Sequence, residues 1–193
     1  GIVGTSIAYY ASLEKQKIAL IEKDSLASHA SGFAYGGITP HIGLDPKSPY
    51  DKISKYSYEL HKNLSNSLPK DSGINYGYKI YPNIELSLNK KQETKLKKIY
   101  ENNKEIYEWY DKKSLYKLEP RLGKKVLSGL VSNFSSGVEP YKLTLALAIA
   151  SEKQNTNIIN SEVIDFSLEG SKIKKIIFSN GSELFAKKVV IAA

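Results

Sequence analysis

The sequence predicts an α/β protein in which one discontinuous domain of βα units is interrupted by an inserted α+β domain. Two observations at the ends of the chain predict it. Near the start, the paired glycines Gly1 and Gly4 run into an apolar, small-residue helix, and the wholly apolar run Ile18-Ala19-Leu20-Ile21 follows. Such a run has the pattern of a parallel strand buried on both faces. Near the end, Pro140 opens a second helix, followed by strands near Ile158-Ile159, over 163–168 and 173–178, and from Val189. Between these ends, helical and alternating patterns mix without repeat or low-complexity linker. The expected division is 1–46 with 138–193 for the discontinuous domain and 47–137 for the insert.

Each element has its own warrant. Ile7, Ala8 and Ala11 have the spacing of a buried helix face, and the helix is expected to start at about Thr5. Residues 23–46 are rich in Ser, Gly and Pro, a composition suited to close backbone approach by a ligand. Helical periodicity covers 50–68 and is expected to stop at Pro69. Alternation over 74–88 predicts a hairpin or meander. A helix is expected over 90–113, with Leu96, Ile99, Tyr100, Ile106, Tyr107 and Tyr110 as its apolar stripe. A helical turn at 114–119 closes at Pro120, and 126–131 reads as a strand. Proline at a first helical turn predicts the helix from Pro140 to about Lys153. Ser179-Asn180-Gly181-Ser182 reads as a turn.

Composition narrows the function. The chain has 193 residues, 41% of them hydrophobic, enough for a real core. It has no cysteine, which removes disulfides, thiolate chemistry and zinc knuckles; no metal site is expected. No apolar run is long enough for a membrane span. A cytoplasmic protein, at most peripheral at the inner membrane, fits best. The net charge of +8 is nearly all lysine, with Arg121 the only arginine, so no specific nucleic-acid site is favoured. The sequence lacks methionine and opens in mid-motif, so a piece cut at both ends is expected.

The motif concerned is Gly-x-Gly-x-x-Gly, with Gly1 and Gly4 as its second and third glycines. Its chemistry needs a tight turn, close approach of backbone to a pyrophosphate, and a helix whose positive end faces the phosphates. Glu22 stands at the end of the next apolar strand, 18 residues beyond Gly4. There it can accept hydrogen bonds from both ribose hydroxyls of an adenosine. Glutamate at this position, followed by Lys23-Asp24 and a small-residue segment, points to a flavin rather than a nicotinamide nucleotide.

With Leu20-Ile21-Glu22-Lys23-Asp24 and Ala30-Ser31-Gly32-Phe33-Ala34-Tyr35-Gly36-Gly37-Ile38, the sequence resembles the D-amino-acid oxidase-like superfamily. That family includes glycine oxidases, sarcosine oxidases and D-amino acid dehydrogenases. Leu118-Glu119-Pro120-Arg121-Leu122 resembles the family's "EP" turn, and 137–143 the segment returning to the flavin domain. The resemblance implies a Rossmann-like FAD-binding domain, incomplete at its carboxy-terminal side, and an inserted substrate domain. It also implies roles for residues. Gly1, Ile2, Val3 and Gly4 would wrap the diphosphate, Glu22 would hold the ribose, and Lys23 would lie near the adenine. Ser31 and Gly32 would contact the diphosphate and ribityl chain. Gly36, Gly37 and Ile38 would run beneath the isoalloxazine, and the backbone of Val163 would read the adenine edge. Ala192 belongs to a strand that would lead to the diphosphate.

The implied reaction is oxidation of the C–N bond of a small amino acid or N-methyl amine, by hydride transfer to flavin N5 and hydrolysis of the imine, with oxygen or a quinone as final acceptor. His29-Ala30-Ser31-Gly32 resembles a stretch that bonds flavin covalently through its histidine in one branch of the family. Ser28 replaces the tryptophan usual there, so non-covalent FAD is favoured. No catalytic residue is assigned. His41, Tyr35 and Tyr141 could approach a substrate, and Arg121 is expected to be structural. Two other readings stay open: the flavin domain of a tRNA-modifying enzyme, and a non-catalytic remnant that binds a partner chain.

Overall fold

The structure, a computed structural model, describes residues 1–40 and 48–192. His41, the expected division at 46/47, and Ala193 lie outside the described residues. The chain separates into two compact units: residues 1–36, 64–77 and 139–193 form the first, and 37–63 with 78–138 the second. Among the described residues, no helix is long and apolar enough to cross a membrane.

The first unit begins with helix α1, Ile2–Leu13, which starts three residues before the expected Thr5 and places Gly4 inside its first turn. Its buried stripe is Thr5, Ala8, Tyr9 and Ser12 rather than Ile7, Ala8 and Ala11; Ile7 is exposed. The hydroxyls make this possible because each returns to its own helix, Thr5 Oγ1 to the Ile2 carbonyl at 3.1 Å and Ser12 Oγ to the Tyr9 carbonyl at 2.6 Å. With Thr5, Ala8 and Ser12 small on this stripe, α1 packs against the helix Pro140–Lys153, whose buried face is rich in alanine.

Strand β1, Ala19–Glu22, pairs in parallel with a strand at Asn157–Asn160, from Ala19 opposite Asn157 to Glu22 opposite Asn160. Its expected burial on both faces is not found: Ala19 is exposed and the rest are half-buried. Among the described residues this sheet has only two strands, so each keeps an uncovered edge.

The second unit is built on a central strand. In chain order the next elements are β2 (Gly37–Ile38), α2 (Pro49–Ser72), β3 (Lys79–Ser87), α3 (Lys90–Asn102), β4 (Tyr107–Asp111), α4 (Lys112–Leu118) and β5 (Ser128–Gly137). Helix α2 begins in the second unit and ends in the first. It passes through Pro69, where a stop was expected. The proline removes one helical hydrogen bond in the final turn, and that loss is offset because Leu68 is fully buried and the Gly73 amide closes on the Pro69 carbonyl at 2.9 Å.

Strand β5 takes β3 along one edge and, on successive stretches of the other, β4 and β2, all antiparallel. The hairpin expected over 74–88 is instead the single strand β3, with an irregularity between Tyr81 and Asn83 at Pro82. The long helix expected over 90–113 divides into α3, β4 and the start of α4. The predicted stripe, apart from Tyr110, still meets in a core, in which Leu96, Tyr107 and Leu130 are buried with Ile99, Tyr100, Ile106, Trp109 and Phe134 packed around them. A reciprocal cap starts α3: Asn89 Oδ1 accepts from the Gln92 amide at 3.0 Å, and Gln92 Oε1 accepts from the Leu88 amide at 2.8 Å.

The chain then returns to the first unit through α5 (Pro140–Lys153), β6 (Asn157–Asn160), β7 (Val163–Glu169), β8 (Lys172–Phe178) and β9 (Glu183–Phe185). Strands β7, β8 and β9 form an antiparallel meander. Gly181, at φ +81°, makes the turn before β9, and Asn180 Oδ1 accepts from the Ser182 amide at 3.0 Å. Strand β9 was not anticipated, and the strand expected from Val189 is not formed over 189–192.

Candidate nucleotide-binding site

The amino-terminal end of α1 is a ready donor surface. Gly1 caps the helix without a side chain, and the first intrahelical bond runs from the Thr5 amide to the Gly1 carbonyl at 3.1 Å. The amides of Ile2, Val3 and Gly4 therefore have no acceptor within the helix. Ile2 gives its hydrogen to Ser31 Oγ at 2.9 Å. The positive end of the helix favours an anion at this place.

The two glycines differ in what requires them. A Cβ on Gly1 would stand 3.1 Å from Ser31 Oγ, so the loop carrying Ser31 lies tight against the helix cap. A Cβ on Gly4 would meet Ala192 Cβ at 3.6 Å and Leu20 Cδ1 at 3.7 Å, ordinary contacts. Packing within the protein thus tolerates a side chain at Gly4. The same distances place Ala192 beside the helix start.

Glu22 closes β1 with its carboxylate directed at the same cap: Oε2 is 3.4 Å from the Gly1 nitrogen. Its other oxygen, Oε1, accepts from the Asp24 amide at 3.2 Å. The Ser161 amide donates to the Glu22 carbonyl at 3.0 Å, and Lys23 Nζ is 4.0 Å from Glu162. These contacts bring Val163, the first residue of β7, next to the Glu22-Lys23 exit.

The loop after β1 is held in a specific shape. His29 Nε2 and Asp24 Oδ2 are 2.7 Å apart, and this hydrogen bond holds the Asp24 carboxyl below the usual carboxylate range. The His29 carbonyl accepts from the amides of Gly32 at 2.9 Å and Phe33 at 3.3 Å. Gly32 has no room for a side chain: a Cβ would stand 1.9 Å from the Ala27 carbonyl oxygen and 3.3 Å from Tyr141 Cδ2. Gly36 follows at φ +78°, a conformation that favours glycine.

Gly1, Ile2, Val3, Gly4, Glu22, Lys23, Ser31, Gly32, Val163 and Ala192 are thus linked around one end of the first unit. Gly36 belongs to that unit too, whereas Gly37 and Ile38 form β2 of the second, paired with Gly137 and Ser136. Tyr35 is almost wholly exposed and Tyr141 half-exposed against Gly32. Arg121 forks onto Glu119, with Nε at 2.7 Å and Nη2 at 2.6 Å from the two carboxylate oxygens, so its charge is engaged within the turn.

Sequence reasoning missed Asn160 and Asp24. Asn160 Nδ2 lies within 3.1 Å of the Glu22 carbonyl, 3.3 Å of Lys23's and 2.9 Å of Asp24's. The available signal was a polar residue directly after the Ile158-Ile159 run. In the second unit, an open hollow of about 350 Å³ is lined by Thr39, Pro40, Ile84, Tyr107, Leu130 and Phe134, among others. Burial pushes the Tyr107 phenol up to about 12, with the Glu85 and Asp51 carboxylates adding to the effect.

An α/β unit with open helix-start amides, side-chain-free backbone and an acidic residue at the neighbouring strand end defines a dinucleotide-binding protein. Residues 1–193 match the family described as FAD dependent oxidoreductase (DAO), and the chain belongs to that family. It is 25% identical over 194 residues to glycine oxidase of Bacillus licheniformis, covering 100% of this chain and 52% of that protein. It is also 25% identical over 201 residues to glycerol 3-phosphate oxidase of Mycoplasma pneumoniae, covering 94% and 52%. The crystal structure of glycine oxidase from Geobacillus kaustophilus superposes with a TM-score of 0.88 at 23% identity, over 100% of this chain and 53% of that one. The Mycoplasma pneumoniae L-α-glycerophosphate oxidase structure with FAD bound gives 0.73 at 24% identity, over 92% and 47%. The chain spans about half the length of the curated relatives it matches. FAD is the cofactor of the family, and the open amides, the Gly4 backbone and the Glu22 carboxylate fit its diphosphate and ribose.

Proposed function

We propose that this chain is the FAD-holding part of an enzyme that oxidises the C–N bond of a small amino acid or N-methyl amine. The observation that carries the reading is the convergence of the α1 amides, Ser31 and Glu22 on one end of the first unit. In this reading the diphosphate rests on the amides of Val3 and Gly4, and Glu22 accepts from the two ribose hydroxyls. Lys23 and the Val163 backbone serve the adenine. Ser31 and Gly32 serve the diphosphate and ribityl chain, and Gly36, Gly37 and Ile38 the isoalloxazine. FAD so held would supply a two-electron acceptor. The second unit would carry the substrate, for which the hollow beside Tyr107 is one candidate wall. Burial keeps the Tyr107 phenol protonated at neutral pH.

A second reading, oxidation of a C–O bond in a glycerol phosphate, is supported by the resemblance to the Mycoplasma oxidase. One experiment separates the two. The intact protein, purified without added cofactor, is scanned for flavin absorption before and after addition of glycine, sarcosine, other amino acids or glycerol 3-phosphate under anaerobic conditions. Bleaching by an amine supports the first reading, and bleaching by glycerol 3-phosphate replaces it with the second. Flavin bands that no compound bleaches would refute both substrate proposals and favour a tRNA-modifying flavoprotein or a non-catalytic remnant. No flavin bands, even after soaking with FAD, would refute the cofactor assignment.

A further inference from the structure

Asn160 stands at the last register position of β6, directly opposite Glu22 at the end of β1. Its side-chain amide nitrogen lies 3.1 Å, 3.3 Å and 2.9 Å from the carbonyl oxygens of Glu22, Lys23 and Asp24. A side-chain amide has two hydrogens, so the three acceptors share them. Successive carbonyls of an extended strand point in alternate directions, and three can face one nitrogen only where the chain curls. Asn160 therefore holds a curl at the exit of β1. Within that curl the Asp24 amide reaches back to Glu22 Oε1 at 3.2 Å, tying the carboxylate to the curled backbone.

The register already joins β1 to β6 through Ala19, Leu20, Ile21 and Glu22. The Asn160 contacts reach past the last pair, to Lys23 and Asp24, where the ladder has ended. They hold backbone that the strand pairing itself does not reach.

We propose that Asn160 is a positioning residue for the nucleotide: it aims the Glu22 carboxylate at the ribose hydroxyls of FAD without touching the cofactor. This rests on the reading of the first unit as the FAD-binding one. A group that acts through Glu22 loses its effect when Glu22 can no longer act, whereas a purely structural group does not.

The test is a double-mutant cycle read by FAD affinity. Apoprotein of the intact wild type, Asn160→Ala, Glu22→Gln and the double variant is titrated with FAD, followed by quenching of flavin fluorescence, with circular dichroism as a check of folding. Asn160→Ala is expected to raise Kd about tenfold, the scale of one lost hydrogen bond to a charged group's support. In the Glu22→Gln background the same substitution is expected to change Kd by less than about threefold. An unchanged Kd for Asn160→Ala, or the same factor in both backgrounds, overturns the positioning role while leaving FAD binding intact. A wild type that binds no FAD overturns the FAD-binding reading and the inference with it. Should Asn160→Ala fail to fold, Asn160→Ser takes its place in the cycle, with the same outcomes supporting or overturning the role.

Discussion

The backbone amide of Ile2 donates to the side-chain hydroxyl of Ser31 across 2.9 Å, joining the first turn of α1 to a loop 29 residues further along the chain. One of the three open amides at the helix start is thereby spent on the protein itself, and those of Val3 and Gly4 have no acceptor within the helix. The same bond sets how close the Ser31-Gly32 backbone lies to the Gly1 cap.

Ser31→Ala should loosen that loop and leave the Ile2 amide without its partner. The expected result is about fivefold weaker FAD binding, corresponding to a net hydrogen bond of about 1 kcal/mol, with the melting temperature of the apoprotein slightly lowered. Fluorescence titration and thermal denaturation measure the two effects separately.

Gly32→Ala and Gly4→Ala should diverge, although both glycines belong to the same motif region. At Gly32 the new methyl would collide with the Ala27 carbonyl oxygen, 1.9 Å away, so apoprotein stability should fall by about 2–3 kcal/mol. At Gly4 the methyl finds ordinary contacts, and the helix gains about 0.5–1 kcal/mol from the lost flexibility of glycine. FAD affinity should drop for Gly4→Ala all the same, because the methyl would stand where the diphosphate approaches. Denaturant unfolding with and without FAD checks both statements.

The Glu119–Arg121 fork gives an acid-side prediction. Hydrogen bonding to Arg121 lowers the Glu119 carboxyl from 4.5 to about 2. A folded-state value below the unfolded one means a stabilising contribution present above 4.5 and lost as pH falls toward 2. Stability of Glu119→Gln should therefore differ from wild type above that window and converge with it toward its lower end. Urea unfolding at a series of acidic pH values measures the difference; Arg121 is exposed and Glu119 only half-buried, so a small effect is expected.

In the second unit, Leu130→Ala should cost about 2–5 kcal/mol, the range for deleting a buried leucine side chain. Leu130 is 1% exposed and packs with Leu96 and Tyr107. Chemical denaturation monitored at Trp109, which borders this cluster, reports the loss.

His29 should not carry a covalent flavin. Its Nε2 is held by Asp24 at 2.7 Å, which leaves that nitrogen committed to the loop. Acid precipitation of the flavin-loaded protein is expected to release all the flavin into the supernatant, and His29→Ala to retain the ability to bind FAD. Flavin remaining in the pellet would overturn this.

Much of the fold was legible where local signals and final packing agree. Pro140 and the alanine-rich stretch behind it specify α5 to the residue at both ends. Asn180-Gly181 likewise marks its turn. Tyr107, Trp109 and Tyr110 were misread because helical spacing continues through Ile106 and Tyr107, while only pairing with β5 makes a strand of them. Burial at Leu68 likewise outweighs the helix-stopping tendency of Pro69. In the candidate site, the expectation that Gly1, Gly4 and Glu22 lie together could be formed from sequence because a nucleotide demands bare backbone and an acceptor at fixed positions. Asn160 could not, since its contacts exist only once β6 lies beside β1.

The pairing of β1 with β6 joins residues 138 positions apart, as between Glu22 and Asn160. Closing a loop of that size has a large entropic cost and makes the step slow. The second unit lies wholly inside the loop, and its strands can assemble while β1 still waits. The ladder that carries Glu22 can therefore close only after Asn160 has been synthesised, and until then Leu20 and Ile21 lack their partners Ile158 and Ile159.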